Sequence, residues 1–124
     1  MTNNGENKVN QHETINYIEL PATDIVVAKQ FFSQVFGWAF SDFGDDYAAF
    51  SNAGIAGGFY RSELKATTAA GSVLVVFYSA DLEATRAKIE AHGGTVVRPV
   101  FTFPGGRRFH FSDPNGNEYA VWSE

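Results

Sequence analysis

Ile15-Asn16-Tyr17-Ile18-Glu19-Leu20-Pro21-Ala22-Thr23-Asp24 carries the chain from a strand into a helix, and the rest of the molecule can be worked out from that passage. Residues 15–20 have strand composition, and Pro21, lacking an N–H for a ladder, is expected to end the strand. Asp24 stands where a helix needs an N-cap, its carboxylate able to accept from the first free amides. Behind it Ile25, Ala28, Phe31, Phe32, Val35 and Phe36 recur at helical spacing, and Gly37 supplies the left-handed stop. Three short strands are expected over 38–43, 47–51 and 55–60, parted by the turn sequences Gly44-Asp45-Asp46 and Asn52-Ala53-Gly54.

The same passage returns further on. An apolar strand is expected over 73–78, and Asp81 caps a second helix with Glu83 favourably near its dipole. Leu82, Thr85, Ile89 and His92 mark the inner face of that helix, and Gly93-Gly94 ends it. Strands follow over 95–103, 107–112 and 117–122, the last two joined by Asp113-Pro114-Asn115-Gly116, a turn in which Gly116 can take a positive φ. Strand, helix and three strands therefore occur twice, with the helix-opening aspartates 57 positions apart (81 − 24). An internal duplication is the most economical account. The expected organisation is a polar tail over 1–13 and a single domain over 14–124, with modules at 14–60 and 72–122 and a linker at 61–71.

Composition narrows the function classes. The chain has 124 residues, no cysteine, and 14 acidic against 9 basic side chains for a formal charge of −5. The absence of cysteine excludes disulfides, thiolate nucleophiles and Cys-ligated zinc, iron–sulfur or haem. Net acidity argues against general nucleic-acid or anionic-membrane binding, both of which need a cationic face. No apolar run approaches the ~18 residues of a membrane span. The N-terminal stretch lacks the apolar region of a signal peptide, so a cytoplasmic protein is expected.

Several segments in order, Ile-Glu-Leu-Pro-Ala-Thr-Asp (18–24), Phe-Phe-…-Val-Phe-Gly-Trp (31–38), Gly-Gly-Phe-Tyr-Arg (57–61), His-Gly-Gly-Thr-Val (92–96) and Phe-Ser-Asp-Pro-Asn-Gly-Asn-Glu (111–118), resemble the vicinal oxygen chelate superfamily of glyoxalase I, bleomycin-resistance proteins and extradiol dioxygenases. The resemblance spans 15–122. It implies an α+β fold of two βαβββ modules forming a cupped, partly open, eight-stranded mixed sheet, a homodimer, and a site in the cup that in the enzymes often holds a divalent metal. The positions where such relatives carry metal ligands here hold Tyr17, Val75, Gly57 or Gly58, and Ala120. A one-residue slip brings Asn16 or Ile18, Leu74 or Val76, and Tyr119 or Val121, which repairs nothing. Zinc or nickel needs three or four His, Cys or carboxylate donors. Of the three histidines, His12 lies in the tail and His92 at a helix C-terminus. No metal or other cofactor is expected; the alternative is a divalent metal on unanticipated donors such as Glu19, His110 and Glu118.

Strand alternation and the resemblance together give an expected lining of Tyr17, Glu19, Phe77, Arg108, His110, Glu118 and Trp122, aromatic walls with a few polar groups. Each member has a plainer role open to it. Glu19 and Arg108 can pair at the rim, His110 can be a half-buried strand residue, and Tyr17 and Trp122 can be core. His110, Glu19 and Arg108 are the catalytic candidates: an imidazole titrates near neutrality, and a guanidinium stabilises an oxyanion. Arg107-Arg108 after Pro104-Gly105-Gly106 can hold an anionic group or belong to a solvated hairpin, while the net acidity suits a cationic guest. A phosphate loop is rejected, because the glycines lack a strand–loop–helix setting. Three functions follow in order: a metal-free binder of a small organic molecule, a lyase or isomerase of glyoxalase type (or a dioxygenase-like enzyme) with a non-standard site, and a dimeric regulatory or interaction module.

Overall fold

A computed structural model describes residues 10–124, so positions 1–9 of the expected tail lie outside the described residues. Two βαβββ modules follow one another in an α+β chain. The first comprises β1 (Tyr17–Ala22), α1 (Ile25–Phe36), β2 (Ala39–Asp42), β3 (Tyr47–Ser51) and β4 (Ala56–Arg61); the second comprises β5 (Val75–Tyr78), α2 (Leu82–Ala91), β6 (Thr95–Phe103), β7 (Gly106–Ser112) and β8 (Glu118–Ser123). Hydrogen bonding sorts the eight strands into two four-stranded sheets of identical topology, β1-β4-β3-β2 and β5-β8-β7-β6. In each, the first strand runs parallel to the last and the other pairs are antiparallel. Among the described residues no helix is long and apolar enough to cross a membrane.

Both helices begin as their sequences require. Asp24 accepts from the Val27 N–H at 3.1 Å and Asp81 from the Ala84 N–H at 3.1 Å. Gly37 closes α1 at φ 73°, where its N–H reaches back into the last turn. His92 occupies the C-cap of α2. One expectation fails locally: β1 runs on through Pro21, paired with Tyr60, to Ala22. β1 is an edge strand, and an edge is where a strand proline is tolerated.

In the first module α1 lays Ile25, Ala28, Phe31, Phe32 and Val35 on the sheet. Phe32 stacks on Trp38 with ring centroids 4.5 Å apart and lies 5.4 Å from Phe59. In the second module α2 contributes only Leu82 and Ile89 as buried residues. The strands supply the rest, with Phe109, Phe111, Tyr119 and Val121 wholly buried. Thr85 is half-buried and His92 exposed, so the inner face of α2 is narrower than its periodicity implies.

Between the modules, residues from Leu64 onward pack with the second. The expected linker is bonded to β8 at its start: Glu118 N–H donates to Ala66 O at 2.8 Å, and Ala66 N–H donates to Asn117 Oδ1 at 2.9 Å. The Asp113–Gly116 turn forms as expected, with Gly116 N–H on Asp113 O at 2.9 Å and φ 90° at Gly116.

Candidate functional site

Alternation along β7 and β8 separates packing from chemistry. Arg107, Phe109 and Phe111 point to the α2 side of the sheet, as the Arg107–Glu83 contact at 2.7 Å shows, since Glu83 lies on α2. Arg108 and His110 therefore point to the opposite, helix-free face. Their cross-strand partners Trp122 and Ala120 share that face, and so does Glu118.

The centre of this face is a fixed imidazole. His110 is 4% exposed, and its Nδ1 lies 2.8 Å from Glu118 Oε2. The other carboxylate oxygen of Glu118 accepts from both the N–H and the hydroxyl of Thr68, each at 2.8 Å. The His110 hydrogen bond is the main cause holding the Glu118 carboxyl below the usual carboxylate range; bonds from Thr68 add to it and burial opposes it. An ionised Glu118 can only accept, so Nδ1–H donates to it, which leaves Nε2 as the working atom of the ring. That Nε2 is buried and has no hydrogen-bond partner among the described residues, and the same holds for Arg108 Nε. An orphaned buried polar atom costs about 1–3 kcal/mol, so two on one face are unusual in a finished structure.

Aromatic side chains surround these groups. The Phe101 ring lies 5.9 Å from the His110 ring, and Trp122 makes edge contacts with Phe103 at 6.2 Å and Tyr78 at 5.1 Å. The structure thus brings together four of the seven expected residues: Arg108, His110, Glu118 and Trp122. It places Phe77 elsewhere. Phe77 pairs with Val121 and packs at about 6 Å against Phe111 and Tyr119, on the α2 face, because register puts its neighbours Val76 and Tyr78 on the helix-free one.

Tyr17 and Glu19 lie on the helix-free face of the first sheet, where they form a cluster of their own. Tyr47 donates to Glu19 Oε2 at 2.8 Å, and its oxygen lies 2.6 Å from the Tyr17 hydroxyl. Burial, followed by these two bonds, raises the Tyr47 phenol well above its ordinary pKa. Tyr47 was not among the expected residues, because the register that sets Ala49 against Gly58 and brings Tyr47 over that glycine is a property of the pairing and not of either strand alone. Thr68, Arg98, Phe101 and Phe103 were missed as well. Thr68 was hidden in a segment that reads as linker, and the other three lie beyond irregularities in β6.

The metal site implied by the resemblance does not fit these residues. Tyr17 is engaged with Tyr47, Val75 and Ala120 have no donor atoms, and the ring of Tyr47 occupies the space a side chain at Gly58 would need. Among the described residues no three His, Asp or Glu side chains gather to hold a metal ion. A cavity of about 290 Å³ opens at the start of α1, lined by Thr23, Asp24, Ile25, Val26, Asp45 and Arg61. Its Asp24 is committed to capping and its Arg61 to Asp46 at 3.8 Å, and it contains none of the residues above.

Comparison with known proteins gives a consistent result. Residues 14–121 match the family model described as Glyoxalase/Bleomycin resistance protein/Dioxygenase superfamily. None of the curated protein sequences matches. Among solved structures, the chain resembles a glyoxalase-related enzyme from Fulvimarina pelagi at 18% identity and TM-score 0.72, covering 90% of this chain and 88% of that one. A lactoylglutathione lyase from Agrobacterium tumefaciens aligns at 17% identity and TM-score 0.70, covering 91% and 95%. A genomically encoded fosfomycin resistance protein from Listeria monocytogenes aligns at 15% identity and TM-score 0.75, covering 92% and 95%. At these identities the likeness is one of fold.

Proposed function

The chain belongs to the Glyoxalase/Bleomycin resistance protein/Dioxygenase superfamily, and from that membership we propose that it binds a small organic molecule on the helix-free face of its second sheet, without the metal that serves many relatives. The observation that carries this reading is the unpartnered, buried Nε2 of His110, held in one orientation by Glu118 and Thr68. A side chain fixed from behind and unsatisfied in front is a group prepared for a ligand. Phe101, Phe103 and Trp122 supply the apolar walls. The homodimer implied by the resemblance is part of this proposal, and sedimentation velocity reads it directly.

Chemical-shift mapping on nitrogen-labelled protein with a fragment library tests the binding face. Binders are expected to move the Trp122 indole and the His110 ring signals while leaving the Trp38 indole in place. Binders that move only first-module signals, or a His110 ring indifferent to every fragment, refute the reading.

The His110–Glu118 pair also favours a second reading. A base oriented by a carboxylate is the arrangement of a general acid–base catalyst, so a metal-free proton transfer of lyase or isomerase type is the enzymatic form of the same site. Full turnover of a bound molecule by the His110→Ala variant removes this second reading and leaves the first intact.

A further inference from the structure

The charge of the occupant can be read from β6. Its pairing with β7 slips twice, between Val96 and Arg98 and again between Arg98 and Phe101. Without the second slip, Arg98 and Phe101, three residues apart, would point to opposite faces; with it both face the side of Arg108 and His110. Arg98 Cζ then lies 3.8 Å from the centroid of the Phe101 ring, and Arg108 Cζ lies 5.3 Å from the same ring. Two guanidinium groups share one phenyl ring.

Neither forms an ion pair with a carboxylate among the described residues, although the chain carries a net charge of −5. Lys29 pairs with Asp42 at 2.8 Å, Arg61 with Asp46 and Arg107 with Glu83. Two acids on this face are already engaged, Glu118 by His110 and Thr68 and Glu124 by the Tyr78 hydroxyl at 2.8 Å. Stacking on an aromatic ring covers the flat of a guanidinium and leaves its in-plane N–H groups free to grip an oxyanion. Arg98 is the cross-strand partner of His110, and Arg108 stands two positions before His110 on β7, so the imidazole and the two cations share one face of the sheet.

We propose that the molecule bound here is a small organic acid, its anionic head held by Arg98 and Arg108, a neighbouring hydroxyl on His110 Nε2, and an apolar or aromatic body against Phe103 and Trp122. The inference rests on the binding reading above and gives it a ligand class. It reverses the cationic guest that net charge alone suggests, because local pairing decides the potential of a face.

Matched triplets of acid, amide and amine on one skeleton test it, with mandelate, mandelamide and 2-amino-1-phenylethanol as one triplet among several aryl and alkyl sets. Binding is read by calorimetry at low ionic strength and by the Trp122 and His110 signals. The acids are expected to bind about tenfold or more tighter than their amides, and the amines not at all. Salt at about 0.5 M should weaken the acids selectively. Arg108→Gln and Arg98→Gln should each abolish most of the acid's advantage; Arg98 is exposed, so its variant keeps the fold and the test remains readable if Arg108→Gln unfolds. Amides or amines that equal the acids while moving Trp122 overturn the anionic ligand and leave the binding face standing. Silence of every member of every triplet removes both.

Discussion

In the first module the helix brings Phe31 and Phe32 into the aromatic core, Phe32 stacking on Trp38 and lying against Phe59 while Trp38 stacks on Phe50, whereas in the second the strands supply the aromatic core and α2 adds only Leu82 and Ile89. The strand order is identical. The difference lies in how the two faces of each sheet are used. On β7 and β8, packing residues alternate with polar ones, Phe109 beside His110 and Tyr119 beside Glu118, so the same strands hold the core and present the proposed site. On the first sheet the helix-free face has glycine at 58, and Tyr47 lies over it. Duplication of one topology therefore leaves one copy whose helix carries a large share of the packing and another whose strands carry both its packing and the proposed site.

The comparison is most directly tested in the two cores. Phe32 is wholly buried and touches Phe31, Trp38 and Phe59 rings within 5.4 Å. Phe32→Ala should cost about 3–5 kcal/mol, and Ile89→Ala in α2 about 2–3 kcal/mol, read as shifts of the urea midpoint at constant slope. An Ile89 variant that loses more than the Phe32 variant would contradict the assignment of the heavier load to α1.

A smaller contrast separates two adjacent glycines. A Cβ at Gly57 meets the Ile18 carbonyl oxygen and the Phe50 ring, and backbone cannot step aside; at Gly58 it meets the Tyr47 ring, which can. Gly57→Ala should cost about 3 kcal/mol and Gly58→Ala about 1 kcal/mol. The second variant has a separate signature. Pushing Tyr47 off Glu19 removes its burial and hydrogen bonds, so its phenol should titrate closer to the ordinary value near 10 in an ultraviolet pH titration. An unchanged tyrosine titration in a folded Gly58→Ala would show that Tyr47 does not depend on that gap.

The regular elements were legible because their signals are local. Asp24, Gly37 and Asp81 act within one turn of where they stand, alternation carries Glu118 and Trp122 to one face of β8, and the resemblance adds His110 to it. The two slips in β6 were not legible. A period of two counts faces only along a regular strand, and nothing short of the pairing partner shows that Phe101 has changed side. Phe77 failed for a related reason: its strand was identified correctly, but the register against β8 sets its face. Thr68 reads as polar linker because its partner, Glu118, lies 50 residues away.

The second module also holds two carboxylic acids whose responses to pH oppose each other. Glu118 is lowered, chiefly by His110, so the stability it contributes is complete above the ordinary value of about 4.3 and is lost as pH falls through the lowered one. Asp113 is raised, chiefly by burial, against bonds from Tyr119 and the turn amides that lower it. Its contribution is complete below about 3.9 and is lost as pH rises through the raised value. Urea midpoints collected between about pH 3 and about pH 6 should therefore fall less steeply on acidification in Glu118→Gln and more steeply in Asp113→Asn than in the parent. Parallel curves for all three proteins would mean that neither acid is coupled to folding as the geometry implies.

The finest test of the division between faces uses two neighbouring arginines of the same charge. Arg107 is bonded at 2.7 Å and 3.3 Å to Glu83 on α2 at an exposed site, which both lowers the Glu83 carboxyl and raises the guanidinium. An ion pair of that kind is screened by solvent and ordinarily adds little to stability. Arg108, one residue on, faces Phe101 and carries a buried Nε without a partner. Arg107→Gln should leave the urea midpoint and the acid-over-amide preference unchanged, while Arg108→Gln loses the preference. The two variants have the same net charge, so a general electrostatic attraction of acids to the protein predicts equal losses. Unequal losses can come only from the side of the sheet on which each guanidinium lies.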